Sequence, residues 1–154
     1  MKEYNYNGNL LDSQADIICH QTNCKGVMGS GVAFAIRQKY PRVFEQYKKA
    51  YDKGMLSLGM CQIVQTNPNK DDNRLVANLC GQDEFGTYQR CTNYEGIFVS
   101  LDKLANYCKN HDVKSVAFPW KMSSDRGGAD WNIIRAMIQS VFKGMEITIE
   151  YWKL

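Results

Sequence analysis

Residues 20–33 (HQTNCKGVMGSGVA) join an apolar strand to an amphipathic helix, and this join constrains the fold more than any other part of the chain. Gly26, Gly29 and Gly31 carry no Cβ and can take positive φ, so the backbone can turn sharply and bring its N–H groups close to a ligand. The helix that begins near Val32 points its positive dipole end at the same spot, where an anion would be stabilised. A plainer reading stays open, in which the glycines only allow a tight strand-to-helix turn.

Strands and helices alternate along the rest of the chain. Residues 4–7 and 15–20 (ADIICH) read as strands, with Gly8 and the Asp12-Ser13 pair between them. Val32, Ile36, Tyr40, Val43, Phe44 and Tyr47 recur at helical spacing, and Pro41 predicts a break between Tyr40 and Pro41. Residues 60–65 and 75–79 flank a polar turn and predict a hairpin. Residues 80–90 lack periodicity and read as a surface loop.

Thr92 and Glu95, three apart, have the form of a capping box before the stripe Tyr94, Ile97, Phe98, Leu101, Leu104, Ala105, Cys108. Residues 113–118 form a further strand, and a second glycine-bearing loop leads to Asp130, which can cap a helix carrying Trp131, Ile134, Ile138, Val141 and Phe142. A last strand spans 146–152. Interleaving of this kind implies an α/β fold with a largely parallel or mixed sheet covered on both faces. In such sheets ligands collect beyond the carboxyl ends of the strands, where both glycine-bearing loops should lie.

Composition narrows the function classes. At 154 residues, with three prolines and no linker-like segment, the chain is expected to form one domain. Lys and Arg exceed Asp and Glu by 19 to 16 and are scattered, which argues against direct nucleic-acid binding. No stretch resembles a signal peptide or a membrane span, so a cytoplasmic protein is expected. The six cysteines lack paired C-x-x-C spacing and read as reduced thiols; neither a metal nor a cofactor is expected.

The join lacks the G-K-[ST] of a phosphate loop, and its order G-x-x-G-x-G differs from the dinucleotide fingerprint G-x-G-x-x-G. Among side chains that could do chemistry, His20 at the strand end and Asp125 in the second loop are the candidate acid or base groups. His20 has a local hydrogen-bonding role as its alternative. Asp130 reads as a helix cap, and Cys24 as an inert thiol.

Taken together, the GNLL turn at 8–11, the run ADIICHQTNCKGVMGSGVAFAIRQKYP, NLCGQ, TNYEGI, the FPW…GGADW loop and the terminal EITIEYW resemble the macrodomain family over nearly the whole chain. The resemblance is to small stand-alone bacterial and phage members, similar also to ADP-ribosyl-glutamate hydrolases and ADP-ribose 1''-phosphate phosphatases. It implies a three-layer α/β/α macrodomain fold over residues 1–154, with a central mixed, largely parallel sheet. It also implies binding of ADP-ribose or a derivative, free or attached to a macromolecule. Hydrolysis of ADP-ribose 1''-phosphate or of an ADP-ribosyl conjugate is the enzymatic reading; a binding module without turnover is its rival.

By position, the resemblance places Asn9 at the adenine amine and Asn23 at the distal ribose. Gly29, Ser30, Gly31 and Val32 fall at that ribose and its phosphate, while Ser123, Ser124, Arg126, Gly127 and Gly128 fall around the diphosphate. Trp152 falls beside adenine, and His20 matches a histidine of the phosphatase-like relatives. Two departures stand out: the lysine and aspartate of the ester-cleaving relatives read here as Gln82 and Gly127. The family's G-C-G is expected at Ser123-Ser124-Asp125.

Overall fold

A computed structural model describes residues 1–83, 91–124 and 127–154, so most of the expected 80–90 loop, together with Asp125 and Arg126, lies outside the described residues. The elements in chain order are β1 (Lys2–Asn7), a 3-10 turn (Leu10–Asp12), β2 (Ile17–Thr22), α1 (Gly31–Lys39), α2 (Pro41–Asp52), β3 (Cys61–Gln65) and β4 (Leu75–Cys80). They continue with α3 (Tyr94–Asn110), β5 (Ser115–Pro119), α4 (Trp131–Val141) and β6 (Thr148–Lys153). The sheet order is β1-β6-β5-β2-β4-β3. Every pairing is parallel except the expected β3–β4 hairpin, in which Ile63 faces Ala77.

Side-chain alternation along β2 explains the three layers. Ile17 and Cys19 join Leu79, Phe118 and Tyr151 beneath α3 and α4, through Ile97, Leu101, Ile134 and Ile138. Ile18 points the other way and joins Val76 and Ala117 beneath Ile36, Val43 and Tyr47 of α1 and α2. A strand buried on both faces must be apolar on both, which is why β2 shows no alternation of apolar with polar residues before His20. No described helix is long and apolar enough to cross a membrane.

The helix break falls where Pro41 demands it. Tyr40 leaves the helical region (φ −126°, ψ 76°), its N–H still closes α1 on Ile36, and Pro41 starts α2 at N1. Val32, expected on the core face, is instead 38% exposed, and of α1 only Ile36 is fully buried.

Edge strand β1 is tied across the sheet by Glu3. That carboxylate accepts from Tyr151 (2.7 Å), Gln139 (2.8 Å) and Arg135 (3.2 Å). Burial pushes its carboxyl up, and the three donors outweigh this to hold it below the usual range.

The start of α3 corrects one expectation. The cap is Asn93, whose Oδ1 accepts from Gly96 N at 2.8 Å, while Thr92 turns its hydroxyl away to donate to the backbone oxygen of Ser123 at 3.0 Å. A carboxamide can satisfy the first-turn N–H groups alone, which leaves the neighbouring hydroxyl free for the sheet edge. Asn93→Ala should therefore cost about 1 kcal/mol by denaturant titration. Thr92→Ala should instead disturb the loop after β5, readable as amide shifts at residues 121–124.

Candidate functional site

The carboxyl ends of β2 and β5 open into a cleft of about 430 Å³. The glycine join contributes Val27 to Ala33 to one wall; Pro119 to Ser123 and Gly127 form the other, and Gln82 closes the end. The two glycine-bearing loops therefore meet across one crevice. Of the residues singled out in the sequence, His20, Asn23, Gly29, Ser30, Gly31, Val32, Ser123 and Gly127 line it.

Asn9, Ser124, Gly128 and Trp152 are not among the lining residues. The Asn9 oxygen, expected at a ligand amine, accepts from Leu11 N at 2.9 Å and caps the 3-10 turn. The ring stacked on Trp152 is Tyr6, 4.9 Å between centroids, and its indole N–H donates to Glu150. Ser124 donates weakly to Met122 O at 3.4 Å, and Gly128 takes a positive φ of 69° beside the cleft wall. Asp125 and Arg126 lie outside the described residues.

Asn23 organises the glycine join from within. Its Oδ1 accepts from Lys25 N at 2.9 Å and lies 2.6 Å from the Tyr47 hydroxyl, while its amide nitrogen donates to Val27 O at 2.9 Å. Gly26 takes a φ of 73°, and a Cβ there would press on the Tyr47-adjacent ring of Tyr51. Glycine is thus required for packing as well as for the turn. Beneath the join, Cys24 Sγ and Cys80 Sγ lie 2.7 Å apart, and burial pushes both thiols up, which keeps them protonated and poor nucleophiles.

At the head of α1, Gly31 takes a φ of 62° and Ser30 makes no side-chain cap. The first residues of the helix line the cleft, and among the described residues no side chain caps their N–H groups, the arrangement that receives an anion.

The protonation of His20 is fixed from outside the cleft by a chain of amides. Gln62 Nε2 donates to the backbone oxygen of Gln46 in α2 (3.1 Å), so its Oε1 faces Asn78 and accepts from Nδ2 (3.0 Å). Asn78 Oδ1 is thereby turned to His20 Nε2, 2.6 Å away, which must carry the proton. Nδ1 remains a bare lone pair, buried and without a hydrogen-bond partner among the described residues. Burial holds the imidazole down to about 4, against a smaller upward pull from Asn78, so the ring is neutral at pH 7. His20 can accept a hydrogen bond or a proton there, and it cannot serve as the cation for a phosphate.

Sequence reasoning missed Gln21. Its Nε2 donates to Gln82 Oε1 (2.7 Å) and Thr92 Oγ1 (2.9 Å), and its Oε1 accepts from Ser123 Oγ (2.6 Å). It also missed Trp120 and Lys121, which line the cleft immediately after β5. Their position at the carboxyl end of a central strand was the available signal. Among the described non-glycine residues of this loop, left-handed backbone falls at Lys121 (φ 56°) and Ser123 (φ 69°). The expected 123–125 position of the family's G-C-G includes Asp125, which lies outside the described residues.

The pH dependence follows from His20. Its folded value lies below the 6.5 of a free imidazole, so the unfolded chain binds more protons between about pH 6.5 and 4. Stability should fall with falling pH across that window, by up to roughly 3 kcal/mol from this group. Denaturant midpoints at pH 7 and 4.5 should show a smaller drop in His20→Gln than in the wild type.

Comparisons with known proteins agree on the architecture. The Macro domain family model matches residues 19–138. The chain is 25% identical over 136 residues to a DNA ADP-ribosyl glycohydrolase of Mycobacterium tuberculosis, an alignment covering 88% of this chain and 37% of that protein. It is 31% identical over 110 residues to an ADP-ribose 1''-phosphate phosphatase of Saccharomyces cerevisiae, covering 68% of this chain and 61% of the relative. Among solved structures, the macrodomain of Thermus aquaticus DarG superimposes with a TM-score of 0.83 at 22% identity, covering 99% of this chain and 98% of that one. The chain thus spans well under half the length of the glycohydrolase.

Proposed function

The chain belongs to the macrodomain family, and from that premise we propose that residues 1–154 form one macrodomain whose cleft takes ADP-ribose or a close derivative, free or attached to a macromolecule. The observation that carries this reading is that an uncapped helix start and His20, whose buried Nδ1 has no partner among the described residues, line one cleft. The first suits a phosphate; the second suits a hydroxyl donor such as a ribose supplies. The names of both curated relatives share the ADP-ribosyl group, which agrees with a ligand bearing both.

In the enzymatic form of this reading, the cleft hydrolyses ADP-ribose 1''-phosphate. Water attacks phosphorus as His20 Nδ1 takes its proton, and the bond from phosphorus to the 1'' oxygen breaks. That oxygen leaves as the hydroxyl of ADP-ribose with the proton returned by the imidazolium or solvent, while the N–H groups of residues 31–33 hold the phosphate. The neutral tautomer assigns His20 to the base side of this reaction. Gln82 and Gly127 favour the rival reading, binding without turnover, for conjugates whose cleavage uses a lysine amine and an aspartate. A glutamine amide cannot attack carbon as an amine does, and a Cβ at Gly127 would meet Thr92 Oγ1 and Ser123 O.

Calorimetric titration with ADP-ribose should give heat with one site per chain, and absence of heat at millimolar ligand removes the reading. Phosphate release from ADP-ribose 1''-phosphate should fall by about 10²-fold or more in His20→Gln. Release at the wild-type rate in that variant would remove His20 from the reaction, and no release by the wild type would leave the protein a binder.

A further inference from the structure

Beyond the backbone cradle, the geometry points to Lys121 as the side chain that pairs with the ligand's diphosphate. The inference rests on the ADP-ribose reading and names a contact within it. Among the described residues that line the cleft, Lys121 is the one with a formal charge at neutral pH, and none is a carboxylate. His20, the other ionisable lining group apart from buried tyrosines and thiols behind the wall, is neutral.

Lys121 also sits where a lysine is conformationally expensive. At φ 56° its backbone is in the left-handed region, as is that of Ser123 two residues on. For Ser123 the fold supplies a reason: its hydroxyl donates to Gln21, and its backbone oxygen accepts from Thr92 and Ala129. Lys121 has no comparable reason. Its backbone oxygen accepts from Ser124 N at 3.0 Å, a turn bond that glycine or asparagine would make equally, and its exposed ammonium pairs with no described carboxylate.

Placement gives the charge its use. Lys121 stands on the β5 wall, opposite the uncapped start of α1 on the β2 wall. An anion between the walls meets helix N–H groups on one side and an ammonium on the other. A lysine holds phosphate as a point charge and needs no fixed fork, which suits a flexible stem rising from a turn. Ligands lacking the diphosphate, such as adenosine, gain nothing from it.

The test compares wild type with Lys121→Gly and Lys121→Asn, both of which accept left-handed backbone without the charge. Calorimetry uses ADP-ribose, with inorganic pyrophosphate as a second probe, at 50 and 300 mM salt. In both variants ADP-ribose should bind about tenfold more weakly at low salt, and the salt sensitivity of the wild type should shrink. Melting temperature should hold or rise, most in Lys121→Gly. Affinity within twofold of wild type in both variants overturns the inference, as does a loss of affinity matched by a loss of thermal stability. If wild type ignores ADP-ribose but binds pyrophosphate in a Lys121-dependent way, the ADP-ribose reading falls and Lys121 stands. If neither probe depends on Lys121, the lysine assignment falls whatever the ligand.

Discussion

The carboxamide of Gln21 holds the working edge of this molecule together. It leaves the end of β2 and reaches Gln82 after β4, Thr92 before α3 and Ser123 after β5, so three connections are fixed to the sheet by one side chain. Its donors and acceptor are all engaged, which makes the network costly to enter partly and stable when complete. The two flanking glycines follow from it. A Cβ at Gly81 would run into Gln21 Oε1 and Ile97, and one at Gly127 into Thr92 and Ser123. These glycines clear room for a side chain, whereas Gly26 and Gly31 in the other loop are needed for their positive φ.

That distinction marks how far the sequence could be read. Periodicity and punctuation located the strands, the hairpin and the Tyr40–Pro41 break, because each follows from forces acting within a few residues of chain. The meeting of the two loops followed from strand order in parallel sheets, a rule about topology. Thr92 shows where local reasoning ends: as a hydroxyl three residues before Glu95 it reads as a cap, yet the adjacent Asn93 takes that task and Thr92 bonds 31 residues away. Gln21, Asn78 and Gln62 carry no motif, since a buried amide is identified by the partners that tertiary structure brings to it. Asn9 and Trp152 were singled out by the resemblance alone, and each finds within its own chain a partner that the sequence pattern does not display.

The chemistry of His20 is set in the same non-local way. The backbone oxygen of Gln46, in the middle of α2, orients Gln62; Gln62 orients Asn78; Asn78 decides which imidazole nitrogen holds the proton. Each link has one sensible direction, because an amide offers its oxygen on one side and its nitrogen on the other. Burial then removes the charged state. A residue that reads in sequence as an acid or a base is left as a base alone, its Nδ1 lone pair without a partner among the described residues.

The loop after β5 trades backbone ease for side-chain chemistry. Two left-handed L-residues each cost on the order of 1 kcal/mol relative to glycine, so Lys121 and Ser123 together weaken the fold by about 2 kcal/mol unless something holds them. Ser123 is held by three bonds, to Gln21, Thr92 and Ala129, which offset its share through ordinary hydrogen bonding. The same anchoring fixes the turn that precedes it, so Lys121 keeps its left-handed backbone because its neighbour does. The anchored part of the loop is therefore the amide network at Gln21, and Lys121 stands beside it with an exposed side chain. A cleft built this way has fixed N–H donors on one wall and an adjustable charge on the other, which tolerates variation in what is attached to a diphosphate more readily than in the diphosphate itself.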